Sequence, residues 1–200
     1  MEHRARGNSR NQANLAFLIS FGIAFGFVEA AVVYYLRLLI SNRFEGAPAH
    51  YKVLLNLGFI TFARPTHSLL LNNRVTTVEI TREAATIIML ASVAYVSAAG
   101  WRRRFGAFLV GFACWDISYY LFLKIVDHWP ASLTTKDVYF LIPVMWIGPV
   151  LTPLAISTAM LLGGSWLYLK PAAEVTPCLA GRQNRDESSQ YLLCDVSRRL

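Results

Sequence analysis

Charge is scarce in this chain of 200 residues. Asp, Glu, Lys and Arg make up 16% of it, against about 25% in an ordinary soluble domain. Acids are the scarcer sign, 12 against 19 Lys and Arg. Cysteine is scarce as well: Cys114, Cys178 and Cys194 form no CxxC pair, and no histidine stands near them at zinc spacing. That excludes a disulfide framework and a zinc site, and leaves Cys114, inside an apolar block, as a small buried thiol. The four histidines, His3, His50, His67 and His128, include no i, i+4 pair and none lies deep in an apolar block, which excludes bis-histidyl haem. There is no P-loop, GxSxG or HExxH, and no internal repeat is apparent. The net charge of +7 and pI near 9.6 would suit nucleic acid. No nucleic-acid motif accompanies the basic residues, however; they gather at the ends of apolar blocks, where they orient a membrane protein.

What the chain has is apolar length. Hydrophobic residues make up 55% of it and the mean hydropathy is +0.41. They come in blocks of about 20, the length that crosses a hydrocarbon core ~30 Å thick at 1.5 Å per helical residue. The expected fold is therefore all-α, a polytopic transmembrane bundle of four spanning helices over about 13–40, 82–100, 105–126 and 138–169. Residues 1–12 form a polar lead, 41–81 an outer loop, and 171–200 a polar tail read as disordered. The basic lead before the first block looks like a signal peptide, but the block is too long for one and ends in no small-x-small cleavage site. The run Val53–Leu71, broken by Gly58 and Pro65, reads as a loop with a short interfacial helix or as a fifth span. Thr76-Thr77-Val78-Glu79 has the form of a capping box, which starts the second helix near Thr77. A straight helix over Val138–Leu169 would be roughly 48 Å long, so Pro143, Pro149 and Pro153 are expected to kink or break it. Such breaks expose backbone carbonyls that transporters use to hold ions and substrates.

The basic residues set the orientation. Arg4, Arg6 and Arg10, the triple Arg102, Arg103 and Arg104, and Lys170, Arg182, Arg185, Arg198 and Arg199 fall on one side. Arg43, Lys52, Arg64, Arg74 and Lys136 fall on the other. The richer side is cytoplasmic, which puts both termini inside. Tyr34, Tyr35 and Trp129 then form the outer aromatic belt and Trp101, Trp166 and Tyr168 the inner one. Small residues recur four apart at Gly22, Gly26 and Ala30, at Ala94 and Ala98, at Ala107 and Gly111, and at Ala155, Ala159 and Gly163. These are close-packing faces, for contact within the bundle or with a second copy.

A charge at the bilayer centre costs about 2.5–3.5 kcal/mol on insertion scales, so the ionisable residues inside the blocks are informative. Glu29 and Asp116 are the deepest. On a helical wheel Glu29 lies about 60° from Gly26 and Arg37 about 20° from it, so all three face the bundle interior. Asp116, Tyr120 and Lys124 form a stripe at i, i+4 and i+8, and Glu79, Arg82 and Glu83 begin the second helix at the same outer level. The candidate polar site is thus Glu29, Arg37, Glu79, Arg82, Glu83, Asp116, Tyr120 and Lys124. Two readings stay open. In one, Arg37, Arg82 and Lys124 neutralise the acids and fix helix register. In the other, the groups line a polar cavity open to the outer side. Glu79 and Glu83, with Asp116 or His67, would suit a hard ion, but Arg82 between them opposes a cation; no metal and no cofactor are expected.

Three strings, Phe25–Arg37, Arg82–Thr86 and Trp115–Tyr120, resemble a group of small multi-pass bacterial membrane proteins with no assigned activity. The resemblance covers about residues 15–170. It implies a bacterial plasma membrane and a four-helix core, and it transfers no site residue. The functional expectation is a binding or transport-related membrane protein. Alternatives are an accessory subunit of a larger membrane complex, joined through small-residue faces, and a membrane enzyme acting on a lipid or isoprenoid. The partners expected are membrane lipid and a second copy or larger complex, with no nucleic acid.

Overall fold

The structure, a computed structural model, describes residues 2–39, 51–65 and 73–170. Four helices and four strands follow one another as α1 (Glu2–Leu39), β1 (Tyr51–Asn56), β2 (Thr61–Pro65), α2 (Asn73–Ser97), α3 (Trp101–Asp127), β3 (Lys136–Phe140), β4 (Met145–Pro149) and α4 (Leu151–Leu169). Three helical segments, Gln12–Leu38, Arg74–Ser97 and Trp101–Asp127, are long and apolar enough to cross a membrane.

The central helix is α3, which contacts each of the other three. Its pairing with α1 is parallel: Gly22 lies against Gly111 and Cys114, Gly26 against Trp115 and Ser118, and Arg37 pairs with Asp127 further along. The GxxxG is therefore spent inside the bundle. Its pairing with α4 is antiparallel, with Gly106 against Gly164 and Tyr168 and Asp116 bonded to Ser157. Helix α2 runs antiparallel to α1: Arg82 meets Glu29, and Asn14 donates to the Ser97 carbonyl at 3.2 Å. Leu18, Ala94, Ala107, Val110, Cys114 and Tyr168 form the core near the arginine end.

The strands correct the all-α expectation. Residues 41–81 are not a plain outer loop, and 53–65 are neither an interfacial helix nor part of a fifth span; they belong to the β1–β2 hairpin, turned at Gly58, whose φ is +84°, while 66–71 lie outside the described residues. Residues 138–169 are not one kinked helix either. Val138, Tyr139 and Phe140, then Trp146 and Ile147, are β-branched and aromatic residues suited to strands. Pro143 falls in the turn between β3 and β4, Pro149 ends β4, and Pro153 sits in the first turn of α4, where a missing N–H goes unnoticed. The prolines thus separate a hairpin from a helix. The two hairpins join through their inner strands into one antiparallel sheet, order β1-β2-β4-β3. It covers one end of the bundle around a small core of Ala63, Met145 and Ile147.

The hairpins are also the same object twice, a repeat the sequence does not display. In the first, Tyr51 opposes Pro65 and Val53 opposes Ala63; a bulge follows, and Leu55 opposes Phe62. In the second, Lys136 opposes Pro149 and Val138 opposes Ile147; a bulge follows at the same step, and Phe140 opposes Trp146. Phe62 and Trp146, equivalent by this match, oppose each other where the hairpins meet. Each hairpin joins a helix pair, so the chain is a helix–hairpin–helix unit repeated. Strand pairing preserves backbone register with few side chains in common, which is why the repeat is silent in the sequence.

Smaller corrections follow from the same geometry. The described helix begins at Asn73, so Thr76 lies within α2 and is no N-cap, and Glu79 bonds to Arg82 instead. Helix α1 extends back to Glu2, and its apolar span, Gln12–Leu38, falls where the first block was expected. Tyr168 is 1% exposed and belongs to the core, not to an interfacial belt. Ala155, Ala159 and Gly163 are exposed; the packed face of α4 carries Ser157 and Gly164 instead. The tail 171–200, with Cys178 and Cys194, and His67 lie outside the described residues.

Candidate functional site

Between the four helices and the sheet lies a cavity of about 330 Å³. Seven of the eight expected site residues line it: Glu29, Arg37, Glu79, Arg82, Glu83, Asp116 and Tyr120. Lys124 does not. Its ammonium donates to the carbonyls of His128 at 3.2 Å and Pro130 at 2.8 Å, where the end of α3 leaves acceptors and a partial negative charge.

The arginines are already engaged. Arg82 on α2 bridges Glu29 on α1 and Glu79 one turn back on its own helix, donating from Nε to Glu79 at 2.9 Å. Arg37 pairs with Asp127 and lies 4.2 Å from the centre of the Trp129 ring. Three carboxylates are held by neutral donors instead. Glu83 accepts the Leu141 N–H at 2.8 Å, which ties α2 to the second hairpin. Asp116, buried near the middle of α3, accepts the Ser157 hydroxyl at 2.7 Å. Asp137, in β3, accepts the Tyr120 hydroxyl at 2.8 Å. Among the described residues none of these three touches a cationic side chain. Burial pushes the Asp137 carboxyl up to about 6, against the Tyr120 hydrogen bond and the Arg37 charge, which pull it down.

Much of the remaining wall is aromatic. Phe112 and Trp115 on α3 meet Phe140 of β3, with centroids 6.3 and 6.4 Å away, and Phe140 meets Trp146 of β4 at 6.1 Å. The indole nitrogens of Trp115 and Trp146 are buried and donate to nothing among the described residues. The sequence reading missed Asp137, Ser157 and this aromatic wall. Ser157 carried a signal: a hydroxyl midway along an apolar helix needs a partner. Asp137, beside a turn, carried none, because only the sheet brings it over the cavity.

Among the described residues no group of three or more His, Cys, Asp or Glu is placed to hold a metal ion. Comparison with family models, with curated proteins and with solved structures yields no match. The chemistry of the site is therefore read from its own residues: a partly open, largely apolar chamber with more carboxylates than cations.

Proposed function

We propose that this chain is a four-span protein of a bacterial plasma membrane, both termini cytoplasmic, whose cavity in the outer half of the bundle binds a small molecule for sensing or transport. The carrying observation is the cavity itself, lined by Glu83, Asp116 and Asp137, none of which is in direct ion-pair contact with the two arginines engaged elsewhere. A structural set of ion pairs would match acids with bases and leave no chamber. Lipid as the surrounding solvent is supported by exposed apolar side chains on every helix, among them Phe17, Ile88, Ile125 and Leu162. Helix α4 is about 28 Å long at 1.5 Å per residue, close to the hydrocarbon thickness, and runs antiparallel to α3, as a fourth crossing would.

A cysteine at Thr86, buried but lining the cavity, tests this in a background of Cys114→Ala, Cys178→Ser and Cys194→Ser. A small water-soluble methanethiosulfonate added from outside is expected to label Thr86→Cys and to spare Ala94→Cys, which is equally buried but in the closed core. Equal protection of both sites would remove the cavity reading.

The exposed Ala155, Ala159 and Gly163 favour a second reading, an accessory subunit that packs α4 against a larger complex. Stable co-purification of a partner lost on Ala159→Leu would support it.

A further inference from the structure

We infer that the cavity takes an organic ammonium ion whose apolar body carries a hydrogen-bond acceptor. The inference rests on the cavity reading above and names its ligand. Charge excludes the opposite sign. Five carboxylates line the chamber, Glu29, Glu79, Glu83, Asp116 and Asp137, against two arginines. Arg82 is shared between Glu29 and Glu79, and Arg37 is committed to Asp127. An anion entering would meet no free guanidinium and several carboxylates. A cation would find Glu83 and Asp116, each held by a single neutral donor with lone pairs to spare.

The second observation is independent of the acids. Trp115 is 5% exposed, lines the cavity, and its N–H has no partner among the described residues; the buried Trp146 N–H is in the same position. A buried donor left unmade costs about 1–3 kcal/mol, and native structures rarely leave such donors without a partner. Each indole nitrogen exposes almost no surface in this structure, so an acceptor oxygen on the ligand satisfies it as the side chains over it shift on binding. The ring faces of Phe112, Trp115, Phe140 and Trp146 then supply contact for an apolar body and attract an ammonium. A bare inorganic cation would leave the indole donors unmet and bring no apolar body to the ring faces.

The test uses the full chain in mild detergent and four matched probes: 4-methoxyphenethylamine, the neutral 4-methoxyphenethyl alcohol, the anion 4-methoxyphenylacetate, and 4-ethylphenethylamine, a cation without the acceptor. Tryptophan fluorescence and calorimetry read the binding. The methoxy amine is expected to bind about tenfold or more tighter than the alcohol, with the phenylacetate weakest. Asp116→Asn should weaken the amine about tenfold and leave the alcohol unchanged. If that variant does not fold, Glu83→Gln carries the same expectation, since its amide oxygen can still accept the Leu141 N–H. The methoxy amine should also bind more tightly than the ethyl amine, and Trp115→Phe should erase that difference. An alcohol or phenylacetate that binds as tightly as the amine overturns the cation assignment. Equal binding of the two amines overturns the acceptor. No binding of any probe, in protein whose Thr86→Cys is labelled, overturns the ligand assignment and leaves the cavity standing. Failure of the labelling itself removes both.

Discussion

At Gly26 an added methyl carbon would lie 2.6 Å from the Trp115 carbonyl and 2.9 Å from the Tyr119 nitrogen. Both are backbone atoms of α3, so neither can swing aside. Gly26→Ala is therefore expected to lower stability by about 1–3 kcal/mol through forced separation of α1 and α3. Gly163→Ala meets nothing within 4 Å, and the better helix former there should leave the melting temperature equal or slightly higher. Thermal unfolding in one detergent, followed by circular dichroism, compares the two. Equal losses would deny that the GxxxG face packs on α3. Asp137 gives a second residue-scale expectation. Its folded carboxyl titrates near 6, above the ordinary value of 3.8. Between those values the folded chain keeps a proton that the unfolded chain has released, so stability falls as pH rises through that window. Asp137→Asn should flatten this part of the pH profile of the melting temperature; an unchanged profile would assign the slope to other groups.

The elements of consequence are the hairpins. A lone two-stranded hairpin is marginal in water, and β1 is apolar yet exposed along most of its length. What holds the sheet together is the β2–β4 pairing, in which Ala63 faces Met145 on one side and Val53 on the other. Ala63→Pro removes an N–H from a central strand, where proline is excluded. The expected result is a sheet divided into two hairpins and a cavity without its cover. Iodide should then quench Trp146 fluorescence more strongly than in the parent chain, while helical content stays within a few per cent. Unchanged quenching would show that the helices alone close the chamber.

For the whole molecule the expectation is an orientation. The start of α3, with Trp101, Arg102, Arg103 and Arg104, and the end of α4 at Lys170 lie together: Arg102 donates to the Lys170 carbonyl at 2.6 Å, and Lys170 sits 4.5 Å from the Trp166 ring centre. Both hairpins occupy the opposite end. By the positive-inside rule the arginine end is expected on the cytoplasmic side. Reporters fused ahead of α1 or inserted at Gly100 should register inside the cell, and one inserted at Gly58 should register outside. The reverse pattern would turn the cavity toward the cytoplasm and require a ligand from there.

By itself the sequence determined the apolar helices, their up-and-down order and most of the polar groups that meet among them, because each of these follows from spacing along one helix and from the high energy of burying a charge. Glu29, Arg82 and Asp116 were legible on that ground alone. Only the tertiary structure decided that residues 51–65 and 136–149 are strands, that two bulged hairpins repeat, and that Asp137, Trp115 and Trp146 enclose a chamber with Asp116. A strand pair is stabilised by hydrogen bonds to a partner distant in the chain. No periodicity within five residues reports whether that partner exists, so short apolar runs broken by proline read equally well as a kinked helix until the fold brings the second hairpin alongside.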